Sequence, residues 1–398
     1  MKKTENNLPS RKKPNIKLLL TAVITAVISV FISFAVFYFV FLGDGRYIKL
    51  KQLDALIQNH FYGEVDNSQL NDSIIEGYVS GLNDKFASYY DEQSAEKRAE
   101  SLNGNGSGIG IIVTKHPDTE YLYVKNVYDG GPAQKAGILV GDQIAAVDGV
   151  AVETTGYNQA VDSIIRDVGE AVTLTLVRGE KRLDVTARCS DFTSQTVFYT
   201  LYDSGYAYIE ITSFNNETPV QFENAVNQLV TKGASALIFD LRGNGGGTVE
   251  SVTEMIDFLC PKGTIMTAKY ADGSQKVIAE SDEQEINVPM VVLTDSSTAS
   301  ASELFTACIK DFGKGISIGE TTYGKGVMQT TYELYDGSDV SFTVAEFFPH
   351  SLKSFNEIGI SPDIEVNLND TQKKYRYQLT HQEDPVINAA VKYLDENV

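Results

Sequence analysis

The chain has 398 residues, 42% of them hydrophobic and 22% charged, with 53 acidic side chains against 33 basic ones and a formal net charge of −20. Since a domain commonly takes about 100–200 residues, this length suggests two or three, and the apolar content excludes a wholly disordered chain. The acidic balance argues against a nucleic-acid partner, because neutralising phosphates takes clustered Lys and Arg, and no such cluster follows the N-terminus.

Residues 1–17 carry Lys2, Lys3, Arg11, Lys12, Lys13 and Lys17 against Glu5 alone, and the stretch 18–42 that follows holds no charged residue. At a rise of about 1.5 Å per residue such a stretch spans a hydrocarbon core of about 30 Å. It is longer than the apolar region of a cleavable leader and lacks a small-residue cleavage site, so we expect a single transmembrane signal-anchor. The basic tail then stays in the cytoplasm, and everything from about Gly43 onward is extracytoplasmic at the cell membrane. Over 43–102 the spacing of Leu50, Leu53, Leu56, Ile57, Ile74, Ile75, Tyr78 and Leu82 predicts an amphipathic helical region outside the chemistry. It would serve as a packing layer or as a self-association surface, the latter compatible with a homodimer.

A glycine-rich break at 103–110 opens a different pattern over 103–190, of short alternating strands around two short helices, the second through 157–166. The run Gly108-Ile109-Gly110-Ile111, the turn Gly131-Pro132-Ala133 and the run Gly141-Asp142-Gln143-Ile144 with Val147-Asp148-Gly149 resemble a bacterial protease PDZ domain, a small β-barrel with helices. The resemblance implies that a peptide adds as a strand and that N–H groups of Gly108, Ile109, Gly110 and Ile111 receive its terminal carboxylate. Arg166, after the second helix, is a candidate sensor between this domain and the next; as a solvated cation at a helix end it needs no such role.

A polar hinge at 190–195 leads into 191–398, where strands and helices alternate around a sharp glycine turn at 243–247, as in an α/β layer. Within it, Ser300 is a candidate nucleophile, Lys325 a candidate base and Gln329 an orienting amide. His60, His116, His350 and His381 all lie outside the 294–329 stretch and offer no local alternative base. A serine hydroxyl needs a base to take its proton, and lysine can serve only when burial lowers its pKa from about 10.4. Ser300 with Glu303 three positions later equally matches a helix capping box.

The runs TASASELF and GETTYGKGVMQ, at 298–305 and 319–329, resemble the signature of the carboxyl-terminal processing proteases, a serine–lysine peptidase family with an export or membrane signal, a helical N-terminal region and a PDZ domain. The resemblance implies a peptidase core of the ClpP/crotonase type, with Ser300 as nucleophile, Lys325 as base and Gln329 as orienter. It also implies an oxyanion hole from the N–H groups of Ala301 and Gly246, and a supporting role for Asp311. The expected substrates are proteins or peptides with free C-termini. One departure is the turn Pro349-His350-Ser351-Leu352, where the family has Pro-Ser-Gly.

Two other classes fit parts of the sequence. Gly319, Gly324 and Lys325 fit a phosphate-cradling loop, but Gly326 stands where a Ser or Thr should hold Mg²⁺. A catalytically dead, membrane-tethered PDZ scaffold is the alternative within the family. The three cysteines, Cys189, Cys260 and Cys308, lack disulfide or zinc spacing and are expected as buried core residues, and no cofactor or metal is expected.

Overall fold

A computed structural model of the protein describes residues 16–38 and 45–398. The expected basic tail lies outside these residues through position 15, as does the end of the expected anchor at 39–42. Two compact units divide the chain, Met1–Ile74 and Ile75–Val398.

In the first unit the helix Ile16–Phe37 is long and apolar enough to cross a membrane by length and composition, a test that a signal sequence near an N-terminus also passes. The next helix, Gly45–His60, buries none of its side chains and leaves Tyr47, Ile48, Leu53 and Leu56 exposed.

The second unit is built on three larger sheets. In the central one, Val197–Leu201 runs antiparallel to Tyr206–Ile211, and Ala236–Asp240, Met290–Thr294, Gly315–Gly319 and Ile364–Glu365 follow in parallel. Parallel strands covered on both faces read as continuous apolar runs, and Ala236–Asp240 and Met290–Thr294 are buried at every position. The two-residue period sorts them: Leu237, Phe239 and Val292 pack under Thr218–Thr231, Val249–Leu259 and Ala301–Asp311, whereas Ala236, Ile238 and Val291 meet the C-terminal helix Pro385–Asn397. Phe239 sits edge-on to Phe305 at 5.3 Å and beside Phe222 at 5.5 Å, so truncating it to Ala would cost about 3–5 kcal/mol.

A second, antiparallel sheet is organised by the strand Asp339–Phe348, which pairs with Val327–Glu333, with Gly263–Tyr270 and with the short strand Ser88–Tyr90; Gln275–Ser281 forms its far edge. The third contains Ile111–Lys115, Leu122–Val127, Gln143–Val147, Ala171–Arg178 and Lys181–Arg188 in that order, closed over an apolar core of Ile109, Val124, Ile138, Ile144 and Leu174. The helix Glu92–Leu102 ends at the expected glycine break. Asn105–Gly108 and Ser190–Thr193 pair as a two-stranded ribbon, zipping both ends of the unit together. Lys125 and Asn126 reach Glu210 at 2.7 and 3.3 Å, and Lys374 and Tyr375 converge on Asp118, so this unit is pinned to the central sheet and to the C-terminal segment. All three cysteines are free and buried, as expected.

Candidate active site

Ser300 stands where the chain leaves the strand Met290–Thr294 and enters the helix Ala301–Asp311. Asp295 shapes the turn, its carboxylate accepting the N–H groups of Gly243 and Ser297, both at 3.0 Å. Ser300 itself has φ 59° and ψ −116°, a conformation that costs a non-glycine residue about 1–3 kcal/mol and tends to occur where function requires it. The expected capping box is present: Glu303 accepts the Ser300 N–H at 2.8 Å, and the Glu303 N–H, which donates to the Ser300 carbonyl at 2.9 Å, also meets the Ser300 side chain.

Glu303 is the residue that the sequence pattern undersold. Its fully buried carboxylate takes four donors: the N–H groups of Ser300, Gly324 and Lys325 at 2.7–2.8 Å and the Thr322 hydroxyl at 2.5 Å. Charge-assisted bonds of this kind are roughly twice as strong as neutral ones, and together they lock the serine turn to the lysine loop. The capping-box spacing was the only signal, and it pointed to a local role.

The glycine turn closes the other side. Gly246 has φ 104°, and a Cβ there would lie 2.9 Å from Ser300 Cβ and 3.0 Å from the Ala301 nitrogen, so only glycine lets the two turns touch. Asn244 is buried between them, donating to the Ile211 carbonyl at 2.8 Å and accepting the Gly246 N–H at 2.8 Å, while its own carbonyl accepts from Ala299 N and Ser302 Oγ. Of the two expected oxyanion donors, the Gly246 N–H is thus engaged by Asn244; among the described residues no acceptor in the chain takes the Ala301 N–H.

Lys325 is half-buried in the loop before Val327–Glu333. Burial lowers its pKa from the ordinary lysine value, against the opposing pull of Asp84 and Glu303. Its Nζ lies 4.5 Å from the centroid of the Phe86 ring, and among the described residues it forms no ion pair. Gln329 donates to Thr343 Oγ1 at 3.1 Å across the strand pair. Ser300, Ala301, Lys325 and Gln329 all line one cavity of about 250 Å³, with Gly245 and Gly247 in its wall and Val249, Val252, Met266, Leu304 and Phe347 giving it an apolar floor. Arg98 and Leu102 line it as well. The stretch 43–102, expected to stay outside the chemistry, therefore reaches the site through its last third, because Ser88–Tyr90 is a strand of the antiparallel sheet.

Gly108, Ile109, Gly110, Ile111 and Arg166 are not in this cavity. Ile109 is buried in the core of the third sheet, Ile111 opens its edge strand Ile111–Lys115, and the carbonyls of Ile109 and Gly110 accept Ala133 N and Tyr128 N. Tyr157, on the neighbouring helix Tyr157–Ile164, donates its hydroxyl to the Val113 carbonyl of that strand at 3.0 Å. Arg166 binds the Asp148 carboxylate and, at 3.1 Å, the Ser163 carbonyl. Asp311 accepts the Ser351 N–H at 2.9 Å and so holds the turn at which the sequence departs from the family pattern. Among the described residues no group of three or more His, Cys, Asp and Glu side chains is placed to hold a metal ion.

Residues 205–366 match the model of peptidase family S41, and residues 123–178 match a PDZ domain. The chain is 35% identical over 333 residues to the carboxy-terminal processing protease CtpA of Bacillus subtilis, covering 83% of this chain and 71% of that one. To CtpB of the same organism it is 28% identical over 328 residues, covering 81% and 68%. In fold it is similar to an S41 protease structure from Bacteroides fragilis, with a TM-score of 0.60 at 18% identity over 85% of this chain and 93% of the other. The chain belongs to the carboxy-terminal processing proteases of peptidase family S41: it is a serine-type peptidase that carries a PDZ domain.

Proposed function

We propose that the protein is a membrane-anchored, extracytoplasmic endopeptidase that cuts protein substrates selected by their C-terminal segments, using Ser300 as nucleophile, Lys325 as base and Gln329 as orienter. The observation that carries this reading is that Ser300, in a strained backbone conformation, and the half-buried Lys325, which forms no ion pair among the described residues, line one cavity. In the first step neutral Lys325 takes the Ser300 proton as Oγ attacks the scissile carbonyl; the ammonium then protonates the leaving amine. Water, deprotonated by the same lysine, then attacks the acyl carbon, and the ammonium returns its proton to Ser300 Oγ as the ester bond breaks and the acid leaves. The Ala301 N–H, at the start of a helix, faces the developing oxyanion, and Gly246 becomes the second donor once its N–H leaves Asn244. Gln329 Oε1 orients the amine while Thr343 holds its Nε2.

The substrate's C-terminus docks, in this reading, as a strand on Ile111–Lys115, with N–H groups of Gly108–Ile111 at its carboxylate and Arg166 reporting occupancy to the core. The helix Ile16–Phe37 is the anchor, and we assign residues 103–190 to the PDZ domain and 191–398 to a core of the ClpP/crotonase type, with its parallel sheet between helices and a second sheet beside the site. Cleavage of a C-terminally tailed protein by the detergent-solubilised full chain tests the reading. Ser300→Ala and Lys325→Ala should each lower kcat/KM on the order of a thousandfold or more, and equal rates in all three would leave a tethered PDZ scaffold instead.

A further inference from the structure

The site contains a part that neither the serine turn nor the lysine loop supplies. Just before the strand Ser88–Tyr90, the loop at 83–87 turns on Asn83, which has φ 54°, and its Asp84 carboxylate accepts the Phe86 N–H at 3.0 Å and the Thr343 N–H at 2.8 Å. Thr343 lies opposite Gln329 in the strand pair and holds the Gln329 amide through its hydroxyl at 3.1 Å. The Phe86 ring lies under Lys325 Nζ at 4.5 Å. Pairing of Ser88 with Ser341 and of Tyr89 with Val340 fixes the loop to the strand that carries Thr343. One short loop therefore touches the lysine directly and the glutamine through one intermediary.

We propose that Asp84 and Phe86 are positioning residues of the peptidase site, Phe86 seating the Lys325 amine and Asp84 setting both its charge balance and, through Thr343, the placement of Gln329. The inference rests on the reading of Lys325 as base. The charged groups around that amine are few. Asp84 approaches from the loop and Glu303 from the nucleophile helix, and both favour the ammonium, while burial disfavours it. Arg98 lines the same cavity from the helix Glu92–Leu102, and Lys85 shares the Phe86 ring at 4.9 Å. A ring face attracts a cation, more strongly where water is excluded. Phe86 thus favours the ammonium while keeping water from it, and Asp84 is the anion whose removal most directly frees the neutral amine.

The experiment is the pH profile of kcat/KM for the full chain in detergent, on a peptide with no group titrating in the range used. Because only neutral Lys325 accepts the proton, the acid limb reports its titration. Asp84→Asn removes an anion that favours the ammonium, so the limb should move to lower pH, with the plateau lowered several-fold through the loosened hold on Thr343. Phe86→Leu removes the ring but keeps the apolar cover, so it too should move the limb to lower pH, whereas Phe86→Tyr should return it toward the wild-type position. Thermal unfolding of each variant separates a moved limb from a loss of folded protein. If Lys325→Ala is inactive and the two loop variants, folded, keep the wild-type limb, the inference fails and the base assignment stands. If Lys325→Ala retains activity, the base assignment itself fails and this inference falls with it.

Discussion

Two buried carboxylates, one in each of the paired domains, are neutralised in opposite ways. In the PDZ domain Asp142 is fully buried and meets a cation: Arg178 forks onto it at 2.6 and 2.7 Å, the guanidinium itself remaining partly exposed. In the peptidase core Glu303 is equally buried but is met by three N–H dipoles and a hydroxyl, with Lys325 contributing its backbone and not its amine. A cation on Glu303 would have satisfied the charge just as well. It would also have consumed the lysine, since an amine held in an ion pair keeps its proton. Dipoles let the core bury an anion beside the proposed base without pairing the two.

The largest effect that would break this contrast is expected at Glu303. Glu303→Gln replaces one acceptor oxygen by a donor facing other donors, so urea unfolding should show a loss of about 2–4 kcal/mol, with activity falling further than folding alone explains. Asp142→Asn should lose less, about 1–2 kcal/mol, because Arg178 can turn its exposed guanidinium to water. Equal losses at the two sites would mean that the kind of neutralising partner does not matter.

Lys325→Met sharpens the contrast from the other side. Burial depresses the Lys325 pKa, so the unfolded chain binds that proton more tightly than the folded one, and the ammonium opposes folding at neutral pH. The variant should unfold about 1 kcal/mol later than wild type. That advantage should be complete below the folded-state pKa and fade as pH rises toward 10.5, the ordinary lysine value; an advantage independent of pH would point to packing instead. The smallest effect concerns the PDZ edge. Tyr157→Phe frees the Val113 carbonyl and should tighten binding of a C-terminal peptide by about two- to tenfold, read by fluorescence anisotropy. A weaker complex would show that the hydroxyl serves the peptide.

Much of the peptidase core could be read from sequence because its strands are apolar throughout and its helices carry a clear period. The alternation of strands and helices expected around the glycine turn is carried in the structure by the helices Thr218–Thr231 and Val249–Leu259. Ser300, Lys325 and Gln329 were legible as a set because glycines flank the lysine and the spacing matched a family. The antiparallel sheet was not: Val327–Glu333 and Asp339–Phe348 are half-exposed, with burial that follows no strict alternation. The loop at Asp84 and Phe86 was hidden for a different reason. It reaches the site through a three-residue strand whose partner is far away in the chain, Ser88 pairing with Ser341, and nothing local marks such a partner. Gly246, the proposed oxyanion donor, illustrates the same limit, since the sequence points to the turn but the Asn244 side chain decides where the Gly246 N–H goes.

The Glu303 hub also bears on how the site comes apart. Ser300, Gly324 and Lys325 hang their amide protons on one carboxylate, so a fluctuation that exposes any of them to solvent must release the others or leave the anion short of donors. Their hydrogen exchange should proceed at closely similar rates, as one opening event. A peptidase wired in this way is lost as a whole when it is lost, with no long-lived form that keeps the Ser300 turn but has shed the Lys325 loop.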